Sequence, residues 1–166
     1  MKYIIGVMGP GEQATDLDRQ IAYQLGTLIA QQGWLLLTGG RNVGVMDAAS
    51  RGAKQANGLT IGILPTPDAV DVSDAIDIVI PTGMGNARNV INILASHVIV
   101  ACGMGSGTAS EVALALKTGK PVVLLNASPT SQAFFQSLSG DVRVAQNVEA
   151  AIEQAQTLLG AVIHSS

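Results

Sequence analysis

Residues 97–125 read HVIVACGMGSGTASEVALALKTGKPVVLL. A short apolar run, HVIVA, ends in a turn holding three glycines, a serine and a threonine. An Ala- and Leu-rich helical pattern follows from Thr108 to Thr118 and stops near Gly119. Beyond Pro121 a second apolar run, VVLL, begins. Both runs are continuous rather than alternating, which is the pattern of strands buried on both faces of a parallel sheet.

The same grammar extends outward in both directions. YIIGVM (3–8), WLLLT (34–38), LTIGIL (59–64) and IDIVI (76–80) are further short runs rich in Val, Ile and Leu. Helical patterns lie between them. Leu17, Ile21, Leu25 and Leu28 recur at helical spacing before Gly33. Val45–Ala56 is Ala-rich and stops near Gly58, and Ala87–Ala95 is a third pattern. Val148, Ile152, Ala155 and Leu159 mark a last amphipathic helix, beyond which the HSS tail is expected to fray. Strand and helix alternate throughout, so the expected fold is α/β: a single-domain, doubly wound, Rossmann-like parallel sheet flanked by helices over residues 1–166.

Composition narrows the function classes. The chain has 166 residues, 48% of them hydrophobic, enough for one substantial core. Only 13% are charged, which predicts a surface of small and neutral residues, part of it in subunit contacts. The net charge is -3 without any Lys/Arg cluster, so nucleic acid is not an expected partner. A single cysteine excludes an internal disulfide and suits a reducing compartment. The apolar run near the N-terminus is too short for a signal peptide, and no stretch approaches the length of a membrane span. A cytoplasmic protein with no membrane partner is expected.

Glycines mark four strand ends: GPGE (9–12), GGRNVG (39–44), TGMGNARN (82–89) and GMGSGT (103–108). In open α/β sheets ligands bind beyond the carboxyl ends of the strands. Four glycine turns on that edge would form a crevice in which backbone N–H groups approach a ligand and helix N-termini favour an anion, foremost a phosphate. The candidate binding residues are Gly9, Pro10, Gly39, Gly40, Arg41, Gly44, Arg88, Asn89, Gly103, Gly105, Ser106, Gly107, Thr108 and Glu111. A standard NAD site is rejected. GPGEQA fits the loose dinucleotide fingerprint, but Arg19 through Met46 contains no acid to hold a ribose. A P-loop is rejected because Gly119-Lys120 is followed by Pro121 and precedes a strand.

Two ionisable residues stand in the expected crevice. Arg88 could hold a phosphate bidentately or make a surface or interface ion pair. Glu111 could complete a T-x-x-E capping box with Thr108, or act on a sugar as a general base or stabiliser of positive charge. Asp47 reads as a helix-dipole partner, Cys102 as a core residue and Trp34 as a core or interface residue. His97 and His164 are far apart and no ligand-spaced His/Cys set exists, so no metal site is expected.

GGRNVGVMDAA (39–49), GMGNARN (83–89) and GMGSGTASE (103–111) together resemble the LOG-like superfamily, the so-called lysine decarboxylase-like proteins, from the first strand to about Leu125. GMGNARN and SEVALALKTGKPVVLL look like the branch that includes the molybdenum cofactor carrier proteins. That resemblance implies a homo-oligomer, dimer or tetramer, that holds the phosphorylated pterin without transforming it and hands it to molybdoenzymes. The enzymatic branch releases cytokinin bases from nucleoside 5′-monophosphates. Arg88 and Glu111 match its catalytic Arg and Glu, while Gly105, Gly107 and Thr108 match its phosphate-cradling motif. Two departures stand out: Asn89 replaces the usual Lys after the Arg, and Gly103, Met104 and Gly105 replace PGG. The resemblance therefore implies a cofactor carrier, with N-glycosidic hydrolysis as the alternative. Lysine decarboxylation is excluded because no lysine has a pyridoxal-binding context.

Overall fold

The computed structural model describes residues 2–139 and 141–163. The element order is β1 (Ile4–Met8), α1 (Asp16–Gln31), β2 (Leu35–Thr38), α2 (Gly44–Gln55), β3 (Thr60–Leu64) and β4 (Ile78–Pro81). A 3-10 turn (Gly85–Arg88) then leads into α3 (Asn89–Ala95), β5 (Val98–Cys102), α4 (Ser106–Lys117), β6 (Val122–Leu125), α5 (Pro129–Leu138), β7 (Val142–Ala145) and α6 (Val148–Ile163). The seven strands form one sheet in the order β4-β3-β2-β1-β5-β6-β7, and every pairing is parallel. The chain winds outward from β1 in one direction, returns to β5, and winds outward in the other. The doubly wound α/β reading is therefore the observed fold.

The β-strand period of two divides the core. Val98, Val100 and Cys102 of β5 face one layer with Leu25 and Ile29 of α1, Val45 of α2 and Ile152 of α6. Ile99 and Ala101 face the other, with Ile93 of α3, Val112 of α4 and Phe135 of α5. Gly26 of α1 allows α2 to approach, since a Cβ there would lie 2.0 Å from the Ala49 carbonyl oxygen. Trp34 joins the α1–α2–α6 layer, in agreement with its core reading.

The sequence reading differs from the structure at the sheet margins. β7 and α5 were not expected. β7 reads VRVA, with the exposed Arg143 between its apolar residues, and α5 buries only Phe135, so neither carries a strong period. β4 begins two residues later than its apolar run. As an edge strand it leaves Ile78 and Ile80 about two-fifths exposed, unlike the strands buried on both faces. The Ala87–Ala95 pattern is divided at Arg88, where the 3-10 turn gives way to α3. α4 starts at Ser106, two residues before the expected Thr108, which changes the reading of its first turn.

Candidate functional site

β1 and β5 are neighbours, but their connections leave in opposite directions: through α1 toward β2, and through α4 toward β6. The turns at their carboxyl ends diverge and open a crevice at this switch point. The cleft there has a volume of about 340 Å³. It is lined by Gly9 and Pro10 after β1, Gly39 and Arg41 after β2, Arg88 and Asn89 beside α3, and Gly105, Ser106, Gly107, Thr108 and Glu111 of the α4 turn. The four glycine turns thus contribute to one cavity.

Gly40, Gly44 and Gly103 do not line it. All three have positive φ, at 77°, 57° and 75°. A Cβ on Gly40 would press on the Gly62 backbone, one on Gly44 on the Gly11 and Pro10 carbonyls, and one on Gly103 on the Asp18 carboxylate. Their glycine identity is dictated from within the fold. Gly105 and Gly107 are different. Neither has positive φ. A Cβ on Gly105 would meet Pro10 only at ordinary contact distance, and one on Gly107 would meet nothing within 4 Å. No protein atom requires these two glycines, and both face the cleft.

Three of the helices that begin on this edge, α1, α2 and α4, start beside the cleft. α1 is closed by a complete capping box, in which Thr15 Oγ1 accepts from Asp18 N and Asp18 Oδ2 accepts from Thr15 N. At α2 the N–H of Val45 donates to the carbonyl of Pro10 at 3.0 Å. α4 has Gly105 as its N-cap, in extended conformation, and no side chain caps it. Its first N–H groups, on Ser106, Gly107 and Thr108, are orphans of the kind that bind anions. Of the two readings of Glu111, the capping box with Thr108 is therefore ruled out. With the helix starting earlier, Thr108 lies inside the first turn, its buried Oγ1 has no partner, and Glu111 turns elsewhere.

Glu111 is 7% exposed and its Oε1 accepts from Asn92 Nδ2 at 3.1 Å. Burial pushes its pKa up to about 7, against the opposing effects of the Asn92 hydrogen bond and the Arg88 charge. Arg88 is 9% exposed, and its Nε has no partner. Its guanidinium lies against Gly39, where a Cβ would come within 2.3 Å of Nη1. Burial lowers the Arg88 pKa; the Glu111 charge acts against that and the Arg41 charge adds to it. Among the described residues Arg88 makes no ion pair within 4 Å. A guanidinium buried without an anion is costly unless something else supplies one.

The remaining candidates fall away from the cleft chemistry. Asp47 pairs with Arg51 at 2.7 Å and accepts from Ser73 Oγ at 2.6 Å, so it is a cross-link as well as a helix-dipole partner. Cys102 is buried, its Sγ directed at the Asp18 carbonyl, and burial pushes its thiol up to about 12. His97 accepts from the Ile4 N–H at the amino ends of β1 and β5. His164 lies outside the described residues. Among the described residues no group of three His, Cys, Asp or Glu could hold a metal ion, and no helix is long and apolar enough to cross a membrane.

Sequence reasoning missed Asn92, Glu12, Met46 and Asn86. Asn92 is fully buried and holds Glu111, while the other three line the cleft. An Asn between the apolar Ile91 and Ile93 of the NVINILA helix was the available signal for the first. Glu12 pairs with Arg41 at 2.7 Å, and nothing in their spacing of 29 residues announces it.

A family model described as SLOG cluster4 matches residues 2–152. The chain belongs to the SLOG cluster4 family. Among solved structures similar to this SLOG cluster4 member is the molybdenum cofactor binding protein of the phototrophic bacterium Rippkaea orientalis. It is 61% identical, with a TM-score of 0.94 over 96% of this chain and 98% of that one. The Moco carrier protein of Chlamydomonas reinhardtii is 55% identical, with a TM-score of 0.92 over 97% of this chain and 99% of that one. A more distant relative is the cytokinin riboside 5′-monophosphate phosphoribohydrolase of Mycobacterium tuberculosis. It is 28% identical over 117 residues, 64% of this chain and 62% of that protein. The LOG-like resemblance carried by the three glycine motifs thus extends over most of this SLOG cluster4 chain.

Proposed function

We propose that this chain binds and carries the molybdenum cofactor, holding its phosphate at the start of α4. The observation that carries the reading is the uncapped α4 turn, where Gly105 and Gly107 leave open a space that no protein atom fills. Orphan N–H groups of Ser106, Gly107 and Thr108 would hold the phosphate, and the unpartnered Thr108 hydroxyl would donate to it. Gly9, Pro10 and Gly39 would border the ring system, Arg88 would supply charge and Asn89 would lie beside it. Gly40, Gly44 and Gly103 would shape the turns behind them. Chains 54–61% identical to this one that bind or carry this cofactor support the assignment.

The reading includes a cytoplasmic homo-oligomer, dimer or tetramer, that delivers its cargo to molybdoenzymes. Exposed apolar residues on α3 and α5, namely Val90, Leu94, Phe134 and Leu138, support subunit contact. The test incubates purified protein anaerobically with molybdenum cofactor and, separately, with adenosine monophosphate. Saturable cofactor retention with no base release is expected.

Phosphoribohydrolysis is the second reading, because Arg88 and Glu111 share the cleft and the carboxyl, near neutrality, could exchange a proton. Base release that disappears in Glu111→Ala would establish it and overturn the non-catalytic carrier.

A further inference from the structure

The cleft lining holds two arginines, Arg41 and Arg88, neither of them part of the α4 turn proposed to hold a phosphate. We propose that it has two anion-binding poles, and that Arg88 with Arg41 forms the second. Its ligand would then carry two separate anionic groups. This deepens the carrier reading and rests on it for the placement of the phosphate at α4.

The first pole is the uncapped α4 turn with the buried, unpartnered Thr108 hydroxyl. The second lies on the other side of β1. The Arg88 guanidinium packs over Gly39, the residue that follows β2, and Arg41 belongs to the same turn. β1 separates β2 from β5, so the two poles rise from strand ends two spacings apart, about 10 Å at the backbone. Arg88 is nine-tenths buried, faces the cleft, and has an unpartnered Nε. Arg41 is fixed at the mouth by a β-bridge to Val72, while Asn42 N donates to Asp71 O.

The carboxylates nearby do not neutralise this pole. Glu12 pairs with Arg41, but its side chain is 68% exposed and solvent screens the pair, so an incoming anion can displace it. Glu111 accepts from Asn92 through Oε1 and, among the described residues, makes no ion pair with Arg88 within 4 Å. A buried guanidinium with free donors next to a second, loosely held one is a seat for an oxyanion.

The test compares adenosine 5′-monophosphate with adenosine 3′,5′-bisphosphate by calorimetry on the intact protein. The bisphosphate should bind at least about tenfold more tightly, and Arg41→Gln should remove most of that advantage. Arg88→Lys, which keeps the charge and loses the fork, should remove part of it. Arg41 lies at the mouth outside the core, so its variant tests the pole even if changes at Arg88 disturb folding. Equal binding of the two ligands, or an advantage that survives Arg41→Gln, would overturn the proposal. Loss of cofactor retention with the bisphosphate advantage intact would overturn the carrier reading and leave the two poles standing.

Discussion

α1 and α4 begin side by side at the carboxyl ends of β1 and β5, and their first turns are built to opposite ends. In α1 an acid, Asp18, accepts from Thr15 N, Thr15 Oγ1 and Asn126 Nδ2. That helix start is complete within the protein. In α4 the cap is a glycine, the threonine hydroxyl has no partner, and the nearby acid, Glu111, has moved a turn inward to a single donor. One start is complete within the fold; the other leaves its hydrogen-bonding capacity open, which is why it is the proposed phosphate seat. Both lie on the same edge, so hydrogen-bond completeness, and not proximity, is the ground for that proposal.

The largest expected effect comes from breaking the complete start. Asp18→Ala removes the carboxylate half of the capping box and the Asn126 bond while Thr15 still caps the backbone, and should cost about 4 kcal/mol in denaturant unfolding. If it weakened ligand binding without loss of stability, the contrast between the two helix starts would fail.

The second effect concerns the acid of the open start. Folded Glu111 has a pKa of about 7 against 4.5 ordinarily, so the folded chain binds this proton more tightly than the unfolded one. Its contribution to stability is fully present below about pH 4.5 and is lost as the pH rises to about 7, by up to about 3 kcal/mol. Glu111→Gln should flatten that slope in unfolding curves taken at pH 5, 6 and 7. An unchanged slope would mean that Glu111 is not the titrating group.

Smaller effects should sharpen the comparison because stability and binding move in opposite directions. Thr108→Val removes a buried hydroxyl without a partner and should raise stability by about 1 kcal/mol while weakening phosphate binding. Gly107→Ala improves helix propensity in open space and should raise stability by about 0.5 kcal/mol, again with weaker binding. A variant that loses stability in either case would show that the open turn is held by the protein itself.

Much of this was legible in the amino-acid order. The continuous apolar runs of β1, β2, β3, β5 and β6 reflect burial on both faces, a property that composition alone carries. β7 and α5 escaped because an exposed Arg143 and a helix with one buried residue leave little periodic trace. The glycine turns indicated the cleft, but not which glycines face it. Gly103 and Gly105 are two residues apart, and the positive φ of Gly103 together with the Asp18 carboxylate brought from α1 makes that one structural. The T-x-x-E pattern misled for a related reason. The extended backbone of Gly105 sets the helix start, and that conformation is not written in Thr108 or Glu111. Asn92 was missed because its partner lies on another helix, 19 residues away.

The bond from Asn126 to Asp18 spans 108 residues and joins the turn after β6 to the start of α1. During synthesis, β1 and its glycine turn emerge early, but their neighbour β5 follows about 90 residues later and Asn126, which completes Asp18, later still. At about 5–20 residues per second, seconds pass in which the first half of the cleft exists without the second. The crevice thus cannot form until the α4 turn has been made, and a ligand that needs both halves of it can be held only after that point.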